Sequence, residues 1–233
     1  MRRANQLVNR KSLKSILLLV FSVALLLLFT HSVQKKTINI LALGDSYTIG
    51  EGVSYENSWP GALVQKLENE GIKASMKVIA RTGWTTDELL AAIEKEELTS
   101  RFDVVFLLIG VNNQYRGRSA EEYRKEFKAL LNKAIVFAGN NPAHVITLSI
   151  PDWAYTPYAE NRDKKNISEE IDRFNNINNV ETLNAHAQYI DITGISREAG
   201  EDRSLITTDG LHPSGKMYAQ WVNKIAPEVE AIK

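Results

Sequence analysis

Short runs of apolar residues alternate along this chain with longer stretches in which apolar residues recur every three or four positions. Ile38 to Leu43 is an apolar run that stops at Gly44, as a buried strand stops at a turn. Asn57 and Ser58 precede a helical stretch from Trp59 to Glu70, with Gly71 as its C-cap. Met76 to Ala80 reads as a second strand. Thr85-Thr86-Asp87-Glu88 has the form of a capping box and opens a helix through Glu97. Phe102 to Ile109 is apolar on both faces, as a central parallel strand must be. Ser119 and Glu122 make another capping box, before a helix that runs to about Ala138. Val145 to Ile150 is a fourth strand, 151 to 166 a longer connection, and Ser168 to about Ala187 a helix. Tyr189 to Ile192 is a fifth strand, and after the loop 193 to 213 the last helix spans Ser214 to Val229.

Five strands alternating with helices predict an α/β fold, a parallel sheet covered on both faces. Right-handed crossovers then favour a three-layer α/β/α sandwich with a five-stranded sheet, flavodoxin-like in layout. Ligands of such sheets sit beyond the carboxyl ends of the strands. Ser46 follows the first strand, Gly83 the second, Asn112 the third, Asp152 the fourth, and Asp209 and His212 the fifth. All are placed at one edge.

The amino-terminal pattern is different. Arg2, Arg3, Arg10, Lys11 and Lys14 precede an uninterrupted apolar run from Ile16 to Phe29, the form of an export signal. The run is shorter than the roughly 20 residues that span a membrane comfortably. Thr30-His31-Ser32 offers small residues for cleavage. Residues 1–36 are therefore expected to be a cleaved signal or an uncleaved anchor, with membrane contact through 16–32 if they are retained. The body of the chain, 37–233, is expected outside the cytoplasmic membrane, because the positive end stays inside.

Charge and composition narrow the chemistry. Residues 1–36 hold seven of the 28 Lys/Arg and none of the 28 Asp/Glu, so 37–233 carry 21 basic against 28 acidic residues. An acidic body argues against nucleic acid as a partner, since phosphate binding needs clustered cations. The chain has no cysteine, which excludes disulfides, thiolate catalysis and cysteine metal sites. Neither a P-loop nor a Gly-x-Gly-x-x-Gly follows the first strand, which disfavours a nucleotide binder.

Gly44-Asp45-Ser46-Tyr47 and Asp209-Gly210-Leu211-His212-Pro213 together hold a hydroxyl, an imidazole and a carboxylate. A serine needs a base to become nucleophilic, and a histidine base works best when a carboxylate fixes its tautomer. Four blocks in order, Gly44-Asp45-Ser46, Gly83, Gly110-Val111-Asn112 and Asp209-x-x-His212, resemble the SGNH/GDSL hydrolase superfamily of esterases and lipases, lysophospholipase L1 among them. The resemblance covers nearly all of residues 38–226. No Gly-x-Ser-x-Gly elbow is present.

The resemblance implies a serine esterase acting on a small-molecule ester without cofactor or metal. It implies Ser46 as nucleophile, His212 as base and Asp209 as its orienting acid. The oxyanion would be held by the backbone N–H groups of Ser46 and Gly83 and the side chain of Asn112. Blander roles exist beside these: helix N-cap for Ser46 or Asn112, plain turn for Gly83, surface loop for His212. Asn113 stands where the pattern usually has Asp, which puts local hydrogen bonding in question. Asp45 reads as structural. Tyr47, Trp84, Trp153 and Tyr155, with Tyr115 and Tyr158, are expected either to line a substrate groove or to cover the sheet edge. The competing reading is a non-catalytic module that binds an envelope glycan or lipid on the same fold.

Overall fold

A computed structural model describes residues 37–96, 98 and 101–232. The expectations for residues 1–36 lie outside the described residues. Within them, no helix is long and apolar enough to cross a membrane.

Five parallel strands form one sheet in the order β2-β1-β3-β4-β5. They are β1 (Ile38–Gly44), β2 (Ala74–Ala80), β3 (Val104–Leu108), β4 (Val145–Leu148) and β5 (Gln188–Ile190). The central position of β1 and β3 explains their composition. Ile40 to Leu43 and Val104 to Leu108 are buried throughout, with helices on both faces. Eight helices accompany the strands among the described residues: α1 (Ser46–Ile49), α2 (Trp59–Asn69), α3 (Thr86–Lys95), α4 (Val111–Tyr115), α5 (Ala120–Phe137), α6 (Lys164–Asn184), α7 (Thr193–Arg197) and α8 (Gly215–Ile232). Helix α2 packs on α8, while α5 packs between α3 and α6. The result is the α/β/α sandwich expected.

The Thr85–Glu88 capping box forms, whereas at Ser119 only the serine half of the expected box is present. The Thr85 backbone N–H donates to Glu88 Oε2 at 2.9 Å, and Ser119 Oγ accepts from the Glu122 N–H at 3.2 Å. Register sets the geometry of the site. Gly44 lies opposite both Ala80 and Leu108, so three strands end in one row. Ser46, Gly83 and Asn112 follow that row within four residues.

Several boundaries differ from the sequence pattern, and for three of them the hydrogen bonds give the reason. Helix α6 begins four residues before Ser168, because Asp163 Oδ1 caps it by accepting from the Asn166 N–H at 3.0 Å. The Ser168 hydroxyl donates to Asp152 Oδ2 instead. Strand β4 stops at Leu148, although the apolar run continues to Ile150. The Asn175 side chain takes both the N–H and the carbonyl of Ile150, at 2.7 and 2.9 Å, and removes them from the ladder. Strand β5 ends at Ile190, since the N–H groups of Ile192 and Thr193 turn to Ser149 Oγ.

Candidate active site

Strand β1 runs directly into α1. Asp45 caps that helix, with Oδ1 accepting from the Tyr47 N–H at 3.0 Å, and Ser46 is its first residue. A Cβ at Gly44 would lie 2.1 Å from Thr48 Oγ1 and 2.5 Å from the Leu108 carbonyl. Only glycine lets the serine turn sit this close to the neighbouring strand end.

Gly83 stands in the turn after β2 at φ +87°, a conformation side chains resist. Helix α4, just beyond β3, stitches this turn in place. Arg116 Nη2 donates to the Gly83 carbonyl at 2.7 Å, and Asn112 Nδ2 donates to the Trp84 carbonyl at 3.0 Å. Asn113 Oδ1 accepts from the Thr86 N–H at 3.1 Å, while its Nδ2 donates to Thr86 Oγ1 at 2.6 Å. The Thr86 hydroxyl donates in turn to Glu126. A hydroxyl has one proton to give. With that proton on Glu126, residue 113 must itself supply a donor, which asparagine has and an ionised aspartate lacks. This accounts for Asn113 in a position where Asp is usual.

Asp209 and His212 share one loop. His212 Nδ1 lies 2.7 Å from Asp209 Oδ2. Asp209 Oδ1 accepts from the Leu211 N–H at 2.8 Å, the His212 N–H at 3.0 Å and the Thr207 hydroxyl at 2.7 Å. Partial burial pushes this carboxyl up. The donors, the His212 ring first among them, outweigh it and hold the group well below the usual carboxylate range.

Ser46, Gly83, Asn112 and His212 line a single cleft of about 150 Å³. Thr82, Val111 and Leu211, which the sequence pattern did not single out, complete its floor and sides. Tyr115, Trp153 and Tyr158 form a continuous aromatic wall, with ring centroids 5.6, 5.9 and 6.4 Å apart. The Tyr115 and Tyr158 hydroxyls meet at 3.0 Å on its rim. Trp153 is locked by its Nε1, which donates to Gln114 Oε1 at 2.8 Å. Tyr47, largely buried, also lines the cleft, with its ring 5.8 Å from that of His212, edge to face. Burial, then the nearby Asp45, pushes its phenol far up.

Two of the expected groove residues lie elsewhere. The Trp84 indole packs on the apolar core, and only its carbonyl serves the site. Tyr155 faces a second cleft of about 520 Å³, beside Lys164 and Arg203, with its ring 5.9 Å from the Arg197 guanidinium. Trp153 and Tyr155 share one 3₁₀ turn, where residues two apart point to different sides. Asp152 is fully buried and holds Arg197 Nε at 2.9 Å, so it anchors this segment. Arg116 was the chief residue missed. Its only sequence signal was its position one helical turn after Asn112. Among the described residues, no group of three His, Cys, Asp or Glu side chains is arranged to hold a metal ion.

A family model, the GDSL-like lipase/acylhydrolase family, matches residues 42–220. The chain belongs to this family. This GDSL-like hydrolase therefore acts on ester bonds. Among curated proteins none matches the chain. Solved structures of similar fold include the lipase/acylhydrolase from Enterococcus faecalis, with a TM-score of 0.67 and 20% identity over 83% of this chain and 96% of that one. The psychrotrophic esterase EstA from Pseudoalteromonas sp., in a form inhibited by monoethylphosphonate, gives 0.65 and 17% over 83% and 97%. The acetylxylan esterase Axe2 from Geobacillus stearothermophilus gives 0.66 and 15% over 82% and 94%.

Proposed function

We propose that this GDSL-like hydrolase is a serine esterase that works through an acyl-enzyme. Ser46 is the nucleophile, His212 the general base and acid, and Asp209 the carboxylate that orients it. The observation that carries the reading is the 2.7 Å Asp209–His212 pair, whose imidazole lines the same cleft as Ser46.

Asp209 accepts the Nδ1 proton, which leaves Nε2 as the basic nitrogen. His212 takes the Ser46 hydroxyl proton as Oγ bonds to the ester carbonyl carbon. The oxyanion that forms is met by the N–H groups of Ser46 and Gly83 and by Asn112. A side-chain amide has two N–H groups. The one bound to the Trp84 carbonyl steadies Asn112 and leaves the other for the oxyanion. Collapse of the intermediate breaks the bond to the alkoxy oxygen, which receives the proton from His212. Water then attacks the acyl-enzyme by the same route and frees Ser46.

The substrate we infer is an acetyl or other short acyl ester of a lipid or sugar. A cavity of about 150 Å³ is the size that holds a benzene-sized group, too small for a long acyl chain. The tyrosine-rimmed wall offers ring faces and hydroxyls to the alcohol portion. The acetylxylan esterase among the structures of like fold is a precedent for a sugar acetate.

Replacing Ser46 by Ala is expected to abolish hydrolysis of p-nitrophenyl acetate with the circular dichroism spectrum unchanged. A fluorophosphonate probe should label the parent protein at Ser46. Retained turnover, or labelling elsewhere, overturns Ser46 as nucleophile, and a parent protein that neither turns over ester nor takes the probe favours a binding module. The basic and apolar character of residues 1–29 supports a location outside the cytoplasmic membrane. Mass spectrometry of the native amino terminus would tell a cleaved signal from an anchor.

A further inference from the structure

Asp45 is the residue the mechanism leaves unused. It precedes the nucleophile, is 1% exposed, and belongs to the turn that places Ser46. Its two oxygens live differently. Oδ1 caps α1 through the Tyr47 N–H, whereas Oδ2 is buried with no hydrogen-bond partner among the described residues. Thr48 Oγ1, at the third position of the same helix, is the other buried oxygen there without a partner.

An ionised carboxylate is acceptor-only, and burying one without a paired cation is very costly. Among the described residues no cation is paired with this carboxyl, and burial pushes it up to about 7, against the pull of the Tyr47 and Asp45 backbone N–H groups. The titratable groups that feel it from the surrounding elements are the phenols of Tyr47, Tyr123 and Tyr218, on α1, α5 and α8. Two of those hydroxyls are engaged elsewhere. Tyr218 donates to the Tyr47 carbonyl at 3.1 Å, and Tyr123 lies between the Ile109 carbonyl and Asn178. None of the three supplies a positive charge.

We propose that Asp45 operates as an un-ionised carboxylic acid, a positioning residue that caps the Ser46 turn without setting a negative charge beside the forming oxyanion. The cap needs only the carbonyl-like oxygen, which the neutral acid keeps. Asp209 is the carboxylate whose charge the reaction uses, because it faces the imidazole that becomes cationic. Ionisation of Asp45 would add a like charge next to the Ser46 N–H, where the reaction needs a positive field. Activity therefore falls on the alkaline side as Asp45 loses its proton.

The proposal rests on Ser46 as nucleophile only for its kinetic consequence. The test compares kcat/KM for p-nitrophenyl acetate across pH in the full-length protein and in Asp45→Asn, whose amide oxygen keeps the cap and cannot ionise. The ratio of variant to parent is expected to rise about tenfold between roughly pH 6 and pH 8.5. A ratio that stays flat, or falls, overturns the proposal. Where Asp45→Asn does not fold, the ¹³C resonance of the Asp45 carboxyl in the parent protein decides. It should report a protonated acid at about pH 5.5, and an ionised one there refutes the idea. Ser46→Ala run in parallel separates the two readings. Turnover retained in that variant removes the nucleophile but not the neutral acid, which the carbon resonance still judges.

Discussion

The side-chain amide of Asn113 donates to the Thr86 hydroxyl at 2.6 Å, and that hydroxyl gives its own proton to Glu126. The direction of every bond in this chain is fixed by the Thr86 N–H, which needs an acceptor and finds it in Asn113 Oδ1. Asn113→Asp would set a carboxylate against an oxygen with no proton to offer. The variant should lose about 1–3 kcal/mol of stability, read as a lower urea midpoint. Part of the loss should return in acid, where a protonated Asp regains a donor.

The Arg116 side chain reaches the proposed oxyanion machinery through the Gly83 carbonyl. Arg116→Ala should lower kcat by about tenfold with little change in KM, since a charge-assisted bond of roughly 1.5–3 kcal/mol no longer holds the turn. Arg116→Lys should recover only part, because a lysine cannot reach Gly83 and Glu88 with a planar fork. Steady-state kinetics on a short ester checks both.

Asp209→Asn should lower kcat by about 10²–10⁴-fold, since an amide no longer favours the tautomer with a free Nε2. The loop should survive. The amide oxygen can still accept from the Leu211 and His212 N–H groups, and circular dichroism beside the rate assay separates fold from chemistry.

The two aspartates flanking the cleft carry opposite pH signatures. Asp209 is held below its unfolded value, so its stabilisation is complete above about pH 4 and is lost as pH falls through the folded value. Asp45 is raised to about 7, so the folded state keeps a proton the unfolded state has released. Its contribution to stability declines from about pH 4 upward, and the decline ends near pH 7. Urea midpoints across this range should fall less steeply with rising pH for Asp45→Asn than for the parent. For Asp209→Asn the deficit relative to the parent should shrink below about pH 4.

A cleft of about 150 Å³ should discriminate by acyl length. Turnover of p-nitrophenyl esters is expected to be highest for acetyl to butyryl and at least about tenfold lower for dodecanoyl, a difference of roughly 1.4 kcal/mol or more in transition-state binding. A rising profile with chain length would point to a groove outside this cleft.

The amino-acid order alone determined the alternation of strands and helices, the helix caps at Thr85 and Ser119 and the shared edge at which Ser46, Gly83, Asn112 and His212 gather. Those features follow from local rules. A residue's apolar period, its turn partner three positions on, and the one-edge geometry of parallel sheets need no knowledge of distant neighbours. The tertiary structure decided what depends on direction and on remote partners. It turned Trp153 into the cleft and Tyr155 out of it, set Arg116 on the Gly83 carbonyl, and made Asn113 answer to Glu126 on α5. It also ended β4 at Leu148, where Asn175 from α6 captures the next peptide. Each of these joins groups far apart in the chain through a bond whose donor, acceptor and angle exist only once the helices have packed.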